Sequence, residues 1–216
     1  MKPSTRQQIE RFVAACHEAA ERGLLRCSSG NLSFRAEGGT MLVTRTRSWL
    51  GRLTADDVAV CSLEDGTSLN GVIPTVEARF HAGILRARPD MNAVLHYQSP
   101  HATALACQRR RAPTFNVIPE IPFYIGPVGR VPYLPPGSAE LADAVVAVLS
   151  SHDLAVMENH GQVTAAVDFD HAVQNAEFFE LACQIIVESG PDLTPLPAEA
   201  VRELLAQRRA LRAPGA

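Results

Sequence analysis

The sequence predicts an α/β protein in layers around a largely antiparallel sheet. Segments with helical periodicity and short apolar runs of strand length interleave along the whole chain, which is the pattern of helices packed on a sheet. Several links between the strand-like runs are shorter than the dozen or so residues that a parallel crossover needs, which favours antiparallel neighbours. With 216 residues, 46% hydrophobic and 20% charged, the chain has enough apolar side chains for one well-buried domain.

The elements follow in order. Ile9, Phe12, Val13, Cys16 and Ala20 form a helical stripe over 6–22 that ends at Gly23. "NLSFR" (31–35), "MLVT" (41–44) and "VAVCSL" (58–63) read as strands, and "EDGTSLNG" (64–71) is a loop dense in turn formers. Thr75 can cap a helix over 76–88 that stops at Pro89. A strand over 93–96 meets a helix opened by Ser99, with Pro100 at its first position, where a missing N–H costs nothing.

The Pro- and Gly-rich stretch 112–137 reads as one or two short strands with long loops. A helix over 138–150, a strand at 154–158, the turn "NHG" and the strand "QVTAAV" follow. Ala172, Ala176, Phe179, Cys183 and Ile186 share one face of a helix over 170–188 that ends at Gly190. "PDLTPLP" breaks the chain before an amphipathic, Arg-rich helix over 198–211. The division expected is a domain over 1–190 and a C-terminal tail over 191–216.

A net charge of −3 gives no electrostatic reason to expect nucleic acid or an anionic membrane as a partner. No apolar run approaches the roughly 18 residues of a membrane helix, and "MKPSTRQQIE" has no apolar signal core. Five dispersed cysteines without a C-x-x-C pair suit reduced, mostly buried thiols and a cytoplasmic location.

Three stretches could carry chemistry. In "SSGNLSFR" (28–35), Gly30 and Asn31 are either a turn entering a strand or an open pocket of N–H groups for an anion or enediolate oxygen. In "PTVEARFH" (74–81), Glu77 is either a solvated charge at a helix start or a desolvated acid/base; His81, one turn on, reads as a core histidine. The third pairs "NAVLHYQSPHATALAC" (92–107) with "VMENHGQV" (156–163). There His96 and His160 end apolar runs, where a ligand is held rigidly and substrate has room.

The order G-N-L-S-x-R, P-x-x-E-x-x-F-H, V-x-H-x-x, N-H-G resembles the class II aldolase/adducin family over about residues 6–190. The resemblance implies a three-layer α/β/α fold, a homotetramer with sites at subunit contacts, and a divalent ion, zinc first, with manganese, iron or magnesium as alternatives. By position it places metal ligands at His96, Gln98 and His160, the catalytic glutamate at Glu77, and the substrate loop at Gly30 and Asn31.

The chain departs from that family's pattern twice. Gln98 stands where a histidine is usual, and its amide oxygen suits zinc less well. It can ligate weakly, turn to substrate, or be replaced by a carboxylate. Glu120 is the substitute candidate, and His101 is a further option that reads as structural. Around the phosphate pocket, "TRTRS" (44–48) and Thr75-Val76 stand where small and paired serine residues are usual. This makes Arg45, Arg47 and Thr75 candidates for substrate binding; the two arginines suit a carboxylate, or a phosphate held differently, or else form a solvated strand end.

The function expected is a metal-dependent lyase that cleaves a C–C bond of a small hydroxy-carbonyl compound through an enediolate. A dehydratase or decarboxylase on the same site, or an adducin-like scaffold without catalysis, are the alternatives.

Overall fold

Seven strands form one mixed sheet in the order β3-β2-β1-β4-β7-β6-β5. They are β1 (Asn31–Arg35), β2 (Thr40–Thr44), β3 (Val58–Ser62), β4 (Ala93–Tyr97), β5 (Val128–Val131), β6 (Leu154–Met157) and β7 (Gly161–Ala166). The computed structural model describes residues 5–109 and 114–212. Positions 112 and 113 of the Pro-rich stretch, and the outermost residues of the division at 190, therefore lie outside the described residues.

Every strand pair is antiparallel except β5 with β6, and the short links β1–β2 and β6–β7 require it of those two pairs. That one parallel pair is joined by a helix, α4 (Ala139–Leu149), which supplies the crossover length. The edge strand β3 is covered by the loop after it, where Cys61 pairs with Ser68 and Leu69 N–H donates to the Val60 carbonyl.

Alternation along the strands sorts the helices into two layers. Leu32 and Phe34 of β1 and Leu95 and Tyr97 of β4 face α1 (Thr5–Glu21), α3 (Pro100–Ala106) and α5 (Phe169–Ser189). Met41, Val43, Val94 and Val163 face α4 and α2 (Ala78–Ala87). Between Leu32, Phe34, Leu95 and Tyr97 lie Asn31, Ser33 and His96, so these three polar groups point to the α2 side. The architecture is the three-layer α/β/α sandwich expected.

Local starts and stops differ from the expectation where side chains from elsewhere intervene. The helix expected from 76 begins at Ala78, and Glu77 is its N-cap residue. Thr75 closes the preceding turn instead, its Oγ1 accepting from Glu77 N–H at 3.3 Å. Ser99 makes no side-chain cap on α3. Glu180 of α5 fills that role, accepting from the N–H groups of His101 and Ala102, both at 2.9 Å. The same carboxylate holds His101 Nδ1 at 2.8 Å, which fixes His101 as a structural histidine.

Residues 121–125 form a π-helical turn, not the loop expected, and one strand, β5, follows. A last helix, α6 (Ala198–Leu211), packs on this turn. Arg208 and Arg212 of this C-terminal segment pair with the buried carboxylate of Asp153, which Arg88 also reaches at 3.0 Å. No helix among the described residues is long and apolar enough to cross a membrane.

Candidate metal centre

Three chain segments meet on the α2 face of the sheet. His96 is the fourth residue of β4, opposite Asn31 of β1. His160 sits in the turn between β6 and β7, and Glu77 caps α2. His96 Nε2 lies 3.6 Å from Glu77 Oε2, and His160 Nε2 lies 3.4 Å from Glu77 Oε1. The two imidazoles meet edge to face with centroids 4.9 Å apart. One donor atom from each of the three residues falls within 4.8 Å of the others, the only such group found among the described residues.

The donor atoms are prepared for an ion. His96 Nδ1 is 2.9 Å from the Gln162 carbonyl, which can only accept, so Nδ1 carries the proton and the Nε2 lone pair faces the site. Glu77 Oε1 is buried and has no hydrogen-bond partner. A buried, orphaned carboxylate oxygen is costly unless something cationic completes it. A two-histidine, one-carboxylate set suits zinc and also manganese or iron. The residues fit a divalent ion.

Electrostatics agree. Burial pushes the Glu77 carboxyl up, but His96, the Asn31 amide at 2.7 Å, His160 and His81 outweigh it and hold Glu77 below the ordinary carboxylate range. Burial, with His96 beside it, pushes His160 down to about 4 against the pull of Glu77, and burial pushes His81 down to about 3. Both imidazoles are therefore neutral near pH 7.

In the unfolded chain these two histidines titrate near pH ~6.5. Between there and their folded values the unfolded chain binds more protons, so stability falls as pH falls. For metal-free protein, taking pH from 7 to 5 should cost about 2 kcal/mol per histidine. A urea midpoint that does not move between these pH values would contradict it.

Backbone approach sets the spacing of the ligands. A Cβ on Gly161 would meet Tyr97 O at 2.6 Å, Gln98 Cγ at 2.8 Å and His96 Cε1 at 3.1 Å. Only glycine lets the turn carrying His160 close on β4. Gly30, at φ +78°, brings its backbone so near the His96 carbonyl that a Cβ would lie 2.7 Å from it.

The candidates from sequence divide by position. His96, His160, Glu77 and Asn31 come together, and Gly30 and Thr75 flank them. Gln98 stands beside them with its amide donating to the His160 carbonyl at 3.0 Å, a clamp on the turn that carries the ligand. The carboxylate within reach of both histidines is Glu77. Glu120 precedes the π-helical turn, whose Ile121 and Ile125 join the core on the α5 side, and it is not in the group of ligating side chains. Arg45 is exposed and pairs with Asp57 at 3.5 Å, and Arg47 is exposed. Their loop still runs beside the site, because Arg45 bridges Pro74 and Thr46 N–H bonds the Ile73 carbonyl.

These placements give a direct comparison. Gln98→Ala should weaken metal binding about 10-fold by loosening the His160 turn, and Glu120→Gln should leave it unchanged. A titration in which Glu120→Gln has the larger effect would reverse the assignment.

An α/β/α sandwich that brings two histidines at strand ends to a buried carboxylate at a helix start defines an α/β protein with a candidate metal site. The chain belongs to the class II aldolase and adducin N-terminal domain family, whose model matches residues 10–187. A 3-oxo-tetronate 4-phosphate decarboxylase of Haemophilus influenzae is 34% identical over 176 residues, covering 80% of this chain and 83% of that protein. An L-fuculose phosphate aldolase of Methanococcus maripaludis is 31% identical over 177 residues, covering 82% and 94%. The crystal structure of YgbL from Klebsiella pneumoniae, described by the alternatives aldolase, epimerase and decarboxylase, superposes with a TM-score of 0.88 at 29% identity, covering 94% of this chain and 100% of that one.

Proposed function

We propose that this chain is a divalent-metal-dependent lyase of small hydroxy-carbonyl compounds, with His96, His160 and Glu77 holding the ion and Glu77 also moving the proton. The observation that carries the reading is Glu77 Oε1, buried without a hydrogen-bond partner 3.4 Å from His160 Nε2. Zinc is the first choice of ion for this donor set, before manganese, iron or magnesium. When bound, the ion would polarise the substrate carbonyl and share the negative charge that develops there.

The rest of the chemistry falls to this chain's side chains. Breaking a C–C bond next to a carbonyl leaves its electron pair on the adjoining carbon, which must then gain a proton. Glu77, ionised at rest, would first take a proton, from the substrate hydroxyl in an aldol cleavage or from water in a decarboxylation, and then deliver it to that carbon. Its burial beside the apolar α2 core limits competition by bulk water. Gly30 and Asn31, with Thr75, Arg45 and Arg47 at the rim, are the groups proposed to meet the substrate's oxygens and its acidic group.

Likeness to the Haemophilus influenzae decarboxylase supports carbon dioxide as the fragment released, and likeness to the Methanococcus maripaludis aldolase supports an aldehyde. The test is to incubate zinc- and manganese-loaded protein with 3-oxo-tetronate 4-phosphate and with L-fuculose 1-phosphate. Carbon dioxide from the first, or an aldehyde from the second, is the expected result. Neither product from metal-loaded protein would defeat the lyase reading on these two substrates.

The same reading places the enzyme in the cytoplasm as a homotetramer. Ile73, Val76 and Tyr133 support subunit contacts near the site, being 67%, 66% and 58% exposed. Light scattering at micromolar concentration should give a tetramer mass; a monomer mass would contradict it.

A further inference from the structure

Behind Glu77 lies a chain of buried polar groups whose inner members, Ser33 and His81, take no part in the chemistry proposed above. Ser33 Oγ is 2.7 Å from His81 Nδ1, His81 Nε2 bonds Asn31 Oδ1, and Asn31 Nδ2 donates to Glu77 Oε2 at 2.7 Å. Ser33 and His81 are fully buried, and Asn31 is 6% exposed. The His81 ring is also stacked on Phe80, 4.7 Å between centroids. No member of this chain touches solvent enough for water to set its direction.

The direction is set from the Glu77 end. An ionised carboxylate has only lone pairs, so Asn31 must present its NH2 to Oε2 and its carbonyl oxygen to His81. That oxygen can only accept, so His81 Nε2 must carry the hydrogen. The ring is fully buried and neither of its nitrogens meets a carboxylate, so it stays neutral; Nδ1 is then bare and accepts from the Ser33 hydroxyl. Every donor in the row points towards Glu77. Were Asn31 to flip, its oxygen would face the carboxylate and its NH2 would face the His81 N–H, two repulsions at once.

We infer that Ser33 and His81 are positioning residues that lock the Asn31 amide, so that Glu77 Oε2 is held as a permanent acceptor and Oε1 is left as the working oxygen. This rests on the site proposed above and extends it. It explains why one carboxylate oxygen is bonded and the other, equally buried, is not. It also gives the histidine at position 81, one turn beyond Glu77 on α2, a role beyond filling the core.

The test has two arms. Long-range ¹H–¹⁵N correlation on metal-free protein with ¹⁵N-labelled histidine, assigned with His81→Gln, should show His81 protonated at Nε2 and bare at Nδ1 at neutral pH. The opposite tautomer, a cationic ring, or exchange between tautomers would overturn the inference. This arm needs neither metal nor substrate, so it stands even if the lyase reading fails.

In the second arm, cobalt(II) is titrated into metal-free wild type, Ser33→Ala, His81→Phe and His81→Gln, followed by its visible absorption. Ser33→Ala, which removes one hydroxyl with little change of volume, and His81→Phe should each weaken cobalt binding about tenfold. His81→Gln, which can still present both a donor and an acceptor, should restore most of it. Equal affinities throughout would overturn the positioning role. Absence of cobalt binding by wild type would instead count against the metal site itself, leaving the tautomer to decide the lock.

Discussion

Glu77→Gln should lower turnover by about 10²-fold or more at saturating metal. The substitution keeps the shape of the side chain, and the Asn31 amide can still donate to its oxygen. It removes both the charge and the ability to cycle a proton. Metal affinity should fall as well, because Glu77 stands among the ligands. For that reason the comparison belongs at metal saturation, where a residual loss isolates the proton-transfer role. Near-normal turnover would reduce Glu77 to a buried helix-cap charge.

His160→Ala should weaken divalent metal binding by at least about 10²-fold. The change removes one of three donors and leaves Glu77 Oε1 facing an empty volume. The Gln98 clamp acts on the His160 main-chain carbonyl, so it can survive the mutation and keep the turn folded. A loss of affinity would then report the missing imidazole and not a collapsed loop. Metal content measured after chelation and reloading checks this. Unchanged stoichiometry would remove His160 from the ligand set.

The layers were legible in the sequence because they rest on short-range signals. Periodicity gave the helices, apolar runs gave the strands, and short links gave antiparallel pairing. Where those signals stop, the reading stopped too. Thr75 reads as a helix cap because it precedes the apolar face, but α2 starts three residues later, at Ala78, with Glu77 as its N-cap residue. Ser99 looked like a cap, and a carboxylate from α5, 81 positions away, took that place. The π-helical turn at Ile121–Ile125 has no periodic signature, and Pro122 within it reads as loop.

At the site, single residues were legible and their partnerships were not. His96 and His160 announce themselves at strand ends, and Glu77 as a carboxylate at a helix start. Nothing local says that β1 pairing with β4 sets Asn31 opposite His96, or that α2 then lays Glu77 across both histidines. Gln98 could not be read because its partner is a main-chain carbonyl 62 residues on, and sequence does not show such acceptors. Glu120 stands outside the cluster of Glu77, His96 and His160, and Ile121 beside it anchors that turn in the core on the α5 side.

The claim on which everything else rests is that His96, His160 and Glu77 together hold one divalent ion. The most direct measurement is anomalous diffraction from crystals of protein reloaded with zinc or manganese, collected on both sides of the metal's absorption edge. One strong peak is expected, about 2.0–2.2 Å from His96 Nε2, His160 Nε2 and a Glu77 carboxylate oxygen. A peak bonded elsewhere, or no peak in this pocket at saturating metal, would contradict it.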